Sequence, residues 1–138
     1  MDYIKIIMTT ICTILTYLLG GWNDTLIFLV IVMVIDYLCG VAKGIVTKTL
    51  SSNVGFIGIV RKFLMLSVII IAVQIDRNLG YHEPIFQTAV CWFFISNECL
   101  SIFENCVALG LPVPDELKNT LEQLKNKSFK GVFKSEQK

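Results

Sequence analysis

Four apolar runs divide the chain, and the few polar residues that interrupt them fall at helical spacing. The first run, residues 6–19, sits in a charge-free window over 6–23. The second covers 25–42 and is broken only by Asp36. The third starts near Gly55, carries Arg61 and Lys62 early, and is charge-free over 63–75. The fourth, 85–109, contains Asn97, Glu98, Ser101, Glu104 and Asn105. A helix needs about 20 residues to cross the hydrocarbon core, within a range near 17–25. Four spans are therefore expected, over about 6–23, 25–44, 57–75 and 86–109. The first and third reach the required length only with their flanks.

Breaks between the runs are short. Ser51, Ser52 and Asn53 supply cap or turn residues before the third run. Gly110-Leu-Pro-Val-Pro114 stops the fourth, since glycine suits a helix C-terminus and proline cannot continue it. Pro114-Asp115-Glu116 restarts a helix with acid in its first turn. Leu117, Leu121 and Leu124 give that helix an apolar stripe, with Lys118, Glu122 and Lys125 on its other faces. It is expected to lie under a membrane or on a neighbouring chain; a plain solvated helix is the alternative. The architecture is thus all-α: an integral membrane helical bundle over residues 1–111, then a cytoplasmic amphipathic helix and basic tail over 112–138.

Bulk composition agrees. The chain is 54% hydrophobic and 17% charged with mean hydropathy +0.68, which excludes an ordinary soluble helical domain. Net charge of +1 gives no basic field for nucleic acid. Cys12, Cys39, Cys91, Cys99 and Cys106 lie in apolar stretches without a CxxC pair and read as small buried hydrophobes. His82 sits in a short loop beside Glu83 and Pro84, with no ligand cluster around it. No phosphate loop, HExxH or nucleophile elbow is present, so no enzyme, metal or cofactor is expected.

With both termini in the cytoplasm, Lys5, Lys43, Lys48, Arg61, Lys62 and six tail lysines lie inside and Arg77 outside. That split of 11 to 1 is the positive-inside pattern. It constrains the last three spans more firmly than the first, because a three-span chain displaces only Lys5. Lysines 127, 130, 134 and 138 are placed to hold anionic headgroups. The first run also has the look of a signal peptide, but Leu19-Gly20-Gly21-Trp22 is a poor cleavage site, which favours an uncleaved helix. Thr9, Thr13 and Thr16 share a face suited to helix contact, or else bond their own backbone.

The candidate functional groups are the polar residues within the spans. Asn97, Glu98, Ser101, Glu104 and Asn105 fall within about a third of a helical circumference. Charges there are costly and must face protein, water or a proton. Asp36 lies midway along the second run, with Gly40, Lys43 and Gly44 on its face; Gly40 and Gly44 permit close approach of another backbone. Asp36 either builds a polar seam between subunits or locks the fold. Depth places Glu104 near Lys43, Arg61 and Lys62 for an inner-surface ion pair. Asp36 and Glu98 are expected at mid-depth without a base, so at least one should be neutral in a dry bundle.

Asp36-Tyr-Leu-Cys-Gly40, Ser51-Ser52, Gly58-Ile-Val-Arg61-Lys62, Asp76, the run from Asn97 to Asn105, and Gly110-Leu-Pro-Val-Pro114 occur in this order. The ordered set, over about residues 30–125, resembles the toxin-secretion/phage-lysis holin family. The resemblance implies a phage or prophage protein of the bacterial cytoplasmic membrane that self-associates and opens it. A cell-wall hydrolase (endolysin) or a toxin then passes, without required direct contact. It carries over no catalytic site, only structural positions: Asp36, Gly40, Glu98, Ser101, Glu104 and Asn105. A pore-less scaffold or inhibitory partner, and a small ion channel, are the alternatives. Some holins use two starts, and Met8 would give a shorter form lacking Asp2 and Lys5.

Overall fold

The computed structural model describes residues 2–80, 82–112, 114–117, 119, 120 and 123. Its helices are α1 (Asp2–Leu18), α2 (Asp24–Val46), α3 (Ser52–Leu79) and α4 (Ile85–Ala108), with no strand among the described residues. α2, α3 and α4 are each long and apolar enough to cross a membrane. α1 is not among them: its 17 residues make about 25 Å of helix, short of a hydrocarbon core of about 30 Å. Residues 115–117, 119 and 120 are helical, where the amphipathic helix is expected. Lys118, Leu121, Glu122, Leu124, Lys125 and lysines 127, 130, 134 and 138 lie outside the described residues.

α4 packs between α2 and α3. α3 runs further at both ends than its apolar stretch. Ser51 caps its start by accepting from the Val54 N–H at 3.3 Å, and Gly80, at φ 69°, ends it in the left-handed conformation. Asp76, expected in the connection, is therefore inside the helix and buried.

That placement decides how α4 begins. Pro84 occupies its N-cap and offers no side-chain acceptor. Asp76 accepts instead from the backbone N–H groups of Phe86 at 2.9 Å and Gln87 at 2.8 Å. A carboxylate at the positive end of a helix dipole is stabilising. Gln87, also buried, donates to the Leu19 carbonyl at 2.6 Å and accepts from Asn23 at 3.1 Å. Asn23 in turn caps α2 through the Leu26 N–H at 2.8 Å. Arg77 donates to the Tyr17 carbonyl at 2.6 Å and stacks 4.1 Å over its ring. Four helix ends thus meet at one level.

α1 is held there, and no residue of it is buried. Thr13 bonds the Thr9 carbonyl and Thr16 accepts from the Trp22 indole, so the threonine face engages its own helix and the following turn.

Burial is uneven along the bundle. Leu26, Leu29, Val32 and Met33 of α2 pack with Met65, Ile69 and Val73 of α3 and with Cys91 and Ile95 of α4. All of these lie between the hydrogen-bonded end and the middle. From residues 36, 62 and 98 to the other end, Gly44 and Glu98 itself are the buried positions among the described residues.

Replacing Asp76 by Ala should lower the stability of the purified protein by about 1–2 kcal/mol through loss of the α4 cap. Asp76→Asn, which keeps one acceptor, should lose less. Thermal unfolding in detergent micelles measures both.

Candidate functional site

The hydrophobic core ends on a layer of three charges. Lys62 of α3 places its ammonium 2.6 Å from Asp36 Oδ2 of α2 and also donates to Glu98 Oε2 of α4. Side-chain exposure is 15% for Lys62 and Asp36 and 7% for Glu98, so the layer is largely desolvated. Asp36 precedes the end of α2 at Val46 by ten residues. Lys62 follows the start of α3 at Ser52 by ten, and Glu98 precedes the end of α4 at Ala108 by ten. At 1.5 Å per residue, each lies about 15 Å from the same end of the bundle, near the midpoint of a hydrocarbon core.

This corrects the expected depths. Lys62 is not level with Glu104 but with Asp36 and Glu98, so the mid-depth acids do have a base. The difference arises because α3 starts at Ser52 rather than 57, which carries Lys62 deeper. With all three ionised, one negative charge is in excess. Removing one partner from a buried ion pair is costly because it strands the other charge.

The polar run of α4 divides across the edge of the packed face. Glu98 is buried and Ser101 and Asn105 are half-buried, whereas Asn97 and Glu104 are exposed. At about 100° per residue the first three occupy one side of the stripe and the last two the other. The stripe therefore straddles the boundary between the bundle interior and its surroundings.

Below the charged layer lies a cavity of about 250 Å³ between α2, α3, α4 and the turn at Leu50. Asp36, Gly40, Ser101, Asn105, Arg61 and Lys62 reach it. Tyr37, Gly55 and Gly58 also line it, and no periodicity marks them as a group. A Cβ on Gly55 or Gly58 would stand 3.7 Å from the Tyr37 side chain, an ordinary contact. Gly44 is different: its missing side chain is occupied by the chain's own turn, with Leu50 at 3.0–3.3 Å from a Cβ built there. The close approach that Gly40 and Gly44 were expected to give a second helix is, at Gly44, taken by Leu50. Lys43 is half-buried one residue earlier.

Sequence reasoning missed Lys62 as the shared cation, and missed Asp76, Gln87 and Asn23. The signal for Lys62 was present. Ser51 is a strong N-cap, and counting from it gives the matching depth.

A family model described as the bacteriophage holin family matches residues 13–126. The chain is 44% identical over 126 residues to an uncharacterised 14.9 kDa protein of Clostridium perfringens, covering 91% of this chain and 96% of that one. An uncharacterised protein of Clostridium acetobutylicum is 40% identical over 112 residues, 81% of this chain and 90% of its own. A probable holin of Bacillus phage phi105 is 30% identical over 109 residues, 79% and 80% of the two chains. No solved structure matches.

Lys62→Met should destabilise the bundle by about 3–5 kcal/mol, because two buried carboxylates lose their cation. Combining it with Asp36→Asn and Glu98→Gln should restore most of that loss. Denaturant titration in micelles distinguishes the two; equal destabilisation by the single and triple variants would contradict the geometry.

Proposed function

The chain belongs to the bacteriophage holin family, and from that premise we propose that it self-associates in the bacterial cytoplasmic membrane and opens it. The opening releases a cytoplasmic cell-wall hydrolase, or in some settings a toxin. It is a multi-pass membrane protein, with three helices able to cross the bilayer. In the proposed arrangement α1 adds a short fourth span, both termini are cytoplasmic, and the tail lysines rest on anionic headgroups.

One observation carries the reading: a three-charge layer at mid-depth that closes off a core packed on one side only. An apolar bundle has no structural need for three ionisable groups at its centre, and such groups mark functional sites in membrane proteins. In the closed, dry bundle the excess negative charge is poorly solvated. In an open, hydrated assembly it is solvated freely. The layer therefore holds the helices together while setting a cost on the closed state. Self-association around water relieves that cost, and the exposed apolar faces of α2, α3 and α4 remain available to lipid and to neighbouring copies.

The direction of two substitutions follows. Glu98→Gln leaves one carboxylate for one ammonium, favours the closed state and should delay the onset of lysis. Lys62→Met leaves two unpaired carboxylates and should advance it or abolish accumulation. Expression in bacteria with and without a cytoplasmic cell-wall hydrolase, followed by membrane potential and turbidity, tests the whole reading. Abrupt depolarisation in both cultures, with lysis only when the hydrolase is present, is expected. A pore-less scaffold would give neither, and a selective channel would depolarise without releasing protein.

A further inference from the structure

The outward face of α4 carries a second pattern, distinct from the residues that meet the charged layer. Val90, Phe93, Asn97, Leu100, Glu104 and Val107 follow one another at alternating steps of three and four residues. None of the six is buried, and Phe93, Asn97, Glu104 and Val107 are exposed. Such steps are the a and d positions of a heptad, the seam along which two helices interlock side by side. The seam runs about 25 Å, most of a hydrocarbon core of about 30 Å. The buried residues of α4, Gln87, Cys91, Ile95 and Glu98, lie roughly 80–160° away around the helix from Asn97.

Asn97 stands near the middle of this seam, at an a position. It precedes the end of α4 at Ala108 by eleven residues, about 16 Å, which is mid-depth in the bilayer. Its side-chain amide faces outward and makes no hydrogen bond among the described residues. Hydrocarbon leaves such a group unsatisfied, at a cost. An acyl chain covers the neighbouring apolar side chains but offers the amide neither donor nor acceptor. A second copy inserted in the same orientation offers both, because it brings an identical amide to the same depth. Ser96 and Ser101, which flank the seam beside Asn97, are small and let two backbones approach. Glu104 lies only about 6 Å from the end of α4, near the aqueous face. On α2 the outward residues around this depth, Ile31, Val34 and Leu38, are apolar and call for no such partner.

We infer that two copies of this chain pair through the outward face of α4, parallel and in register, with their Asn97 amides hydrogen-bonded to each other at the bilayer centre. A single asparagine at an a position fixes the register of such a pair. The charged layer faces into each bundle and is undisturbed, so the pair joins two closed bundles. Pairing itself does not depend on hole formation; its place in lysis rests on the holin reading.

Sedimentation of the purified full chain in density-matched detergent micelles measures the pairing. The wild type should form dimers. Asn97→Leu should raise the dissociation constant about 3- to 30-fold, the range of interhelical hydrogen bonds in membranes. Asn97→Gln, which keeps a donor and an acceptor, should lose less. Position 97 faces away from the bundle, so neither variant should lower its unfolding temperature. In bacterial membranes, a chain with its five cysteines replaced by Ala gives a second readout. Oxidation should cross-link its Phe93→Cys and Leu100→Cys variants and not Leu38→Cys, which is exposed on α2. If the cysteine-free chain fails to fold, the sedimentation series decides alone. A monomeric wild type, association that Asn97→Leu leaves unchanged, or cross-linking as strong at Leu38→Cys as at Leu100→Cys would overturn the assignment.

Vesicles of phosphatidylglycerol and phosphatidylethanolamine with entrapped dye separate this interface from the holin reading. Dimers that Asn97→Leu weakens, with no dye released, would support the seam and count against hole formation. Dye release by a chain that stays monomeric would overturn the seam and leave hole formation standing.

Discussion

Lys62 serves two carboxylates at once, because Asp36 and Glu98 reach it from different helices at the same depth. A four-carbon stem lets the ammonium sit between them while the helix carrying it packs normally. The arrangement ties α2, α3 and α4 together at a single layer, in a medium where each charge alone would be expensive. The buried apolar core lies on one side of the layer. On the other side is a cavity lined by glycines, apolar side chains and a few polar ones. The layer is thus both a tie between three helices and the border between two differently packed halves.

The opposite end of the bundle is secured by neutral and charge-assisted hydrogen bonds instead. Asp76 begins α4, Gln87 joins α4 to the turn after α1, and Asn23 begins α2. These bonds satisfy helix-end donors and a turn carbonyl that would otherwise be unpaired in an apolar setting. They also leave α1 attached by one end. A bundle built this way is firm at one face, tied at its middle and open below.

The polar stripe on α4 gains its meaning from position. Glu98, Ser101 and Asn105 turn toward the charged layer and the cavity, while Asn97 and Glu104 turn outward. The inner edge of the stripe faces the charged layer and the cavity, and its outer edge is exposed. Gly44, which looked like a contact for another helix, instead makes room for Leu50 and so allows the tight return into α3.

Hydropathy and cap residues were enough to place α2, α3 and α4, because each run is long, nearly charge-free and bounded by serine, glycine or proline. That Asp36 and Glu98 need a polar partner was equally legible, since an acid in an apolar helix is conspicuous whatever surrounds it. Their partner was not. Lys62 lies at the edge of an apolar run, and its depth depends on where α3 begins, which Ser51 decides through a hydrogen bond rather than through hydropathy. Asp76 was hidden for a related reason: it caps a helix ten residues further along the chain, a relation created only when α3 and α4 fold back on each other. Local chemistry determined which residues must be helical and which charges must find partners. Only the antiparallel packing of three helices decided who those partners are, because it alone equates depths on separate segments.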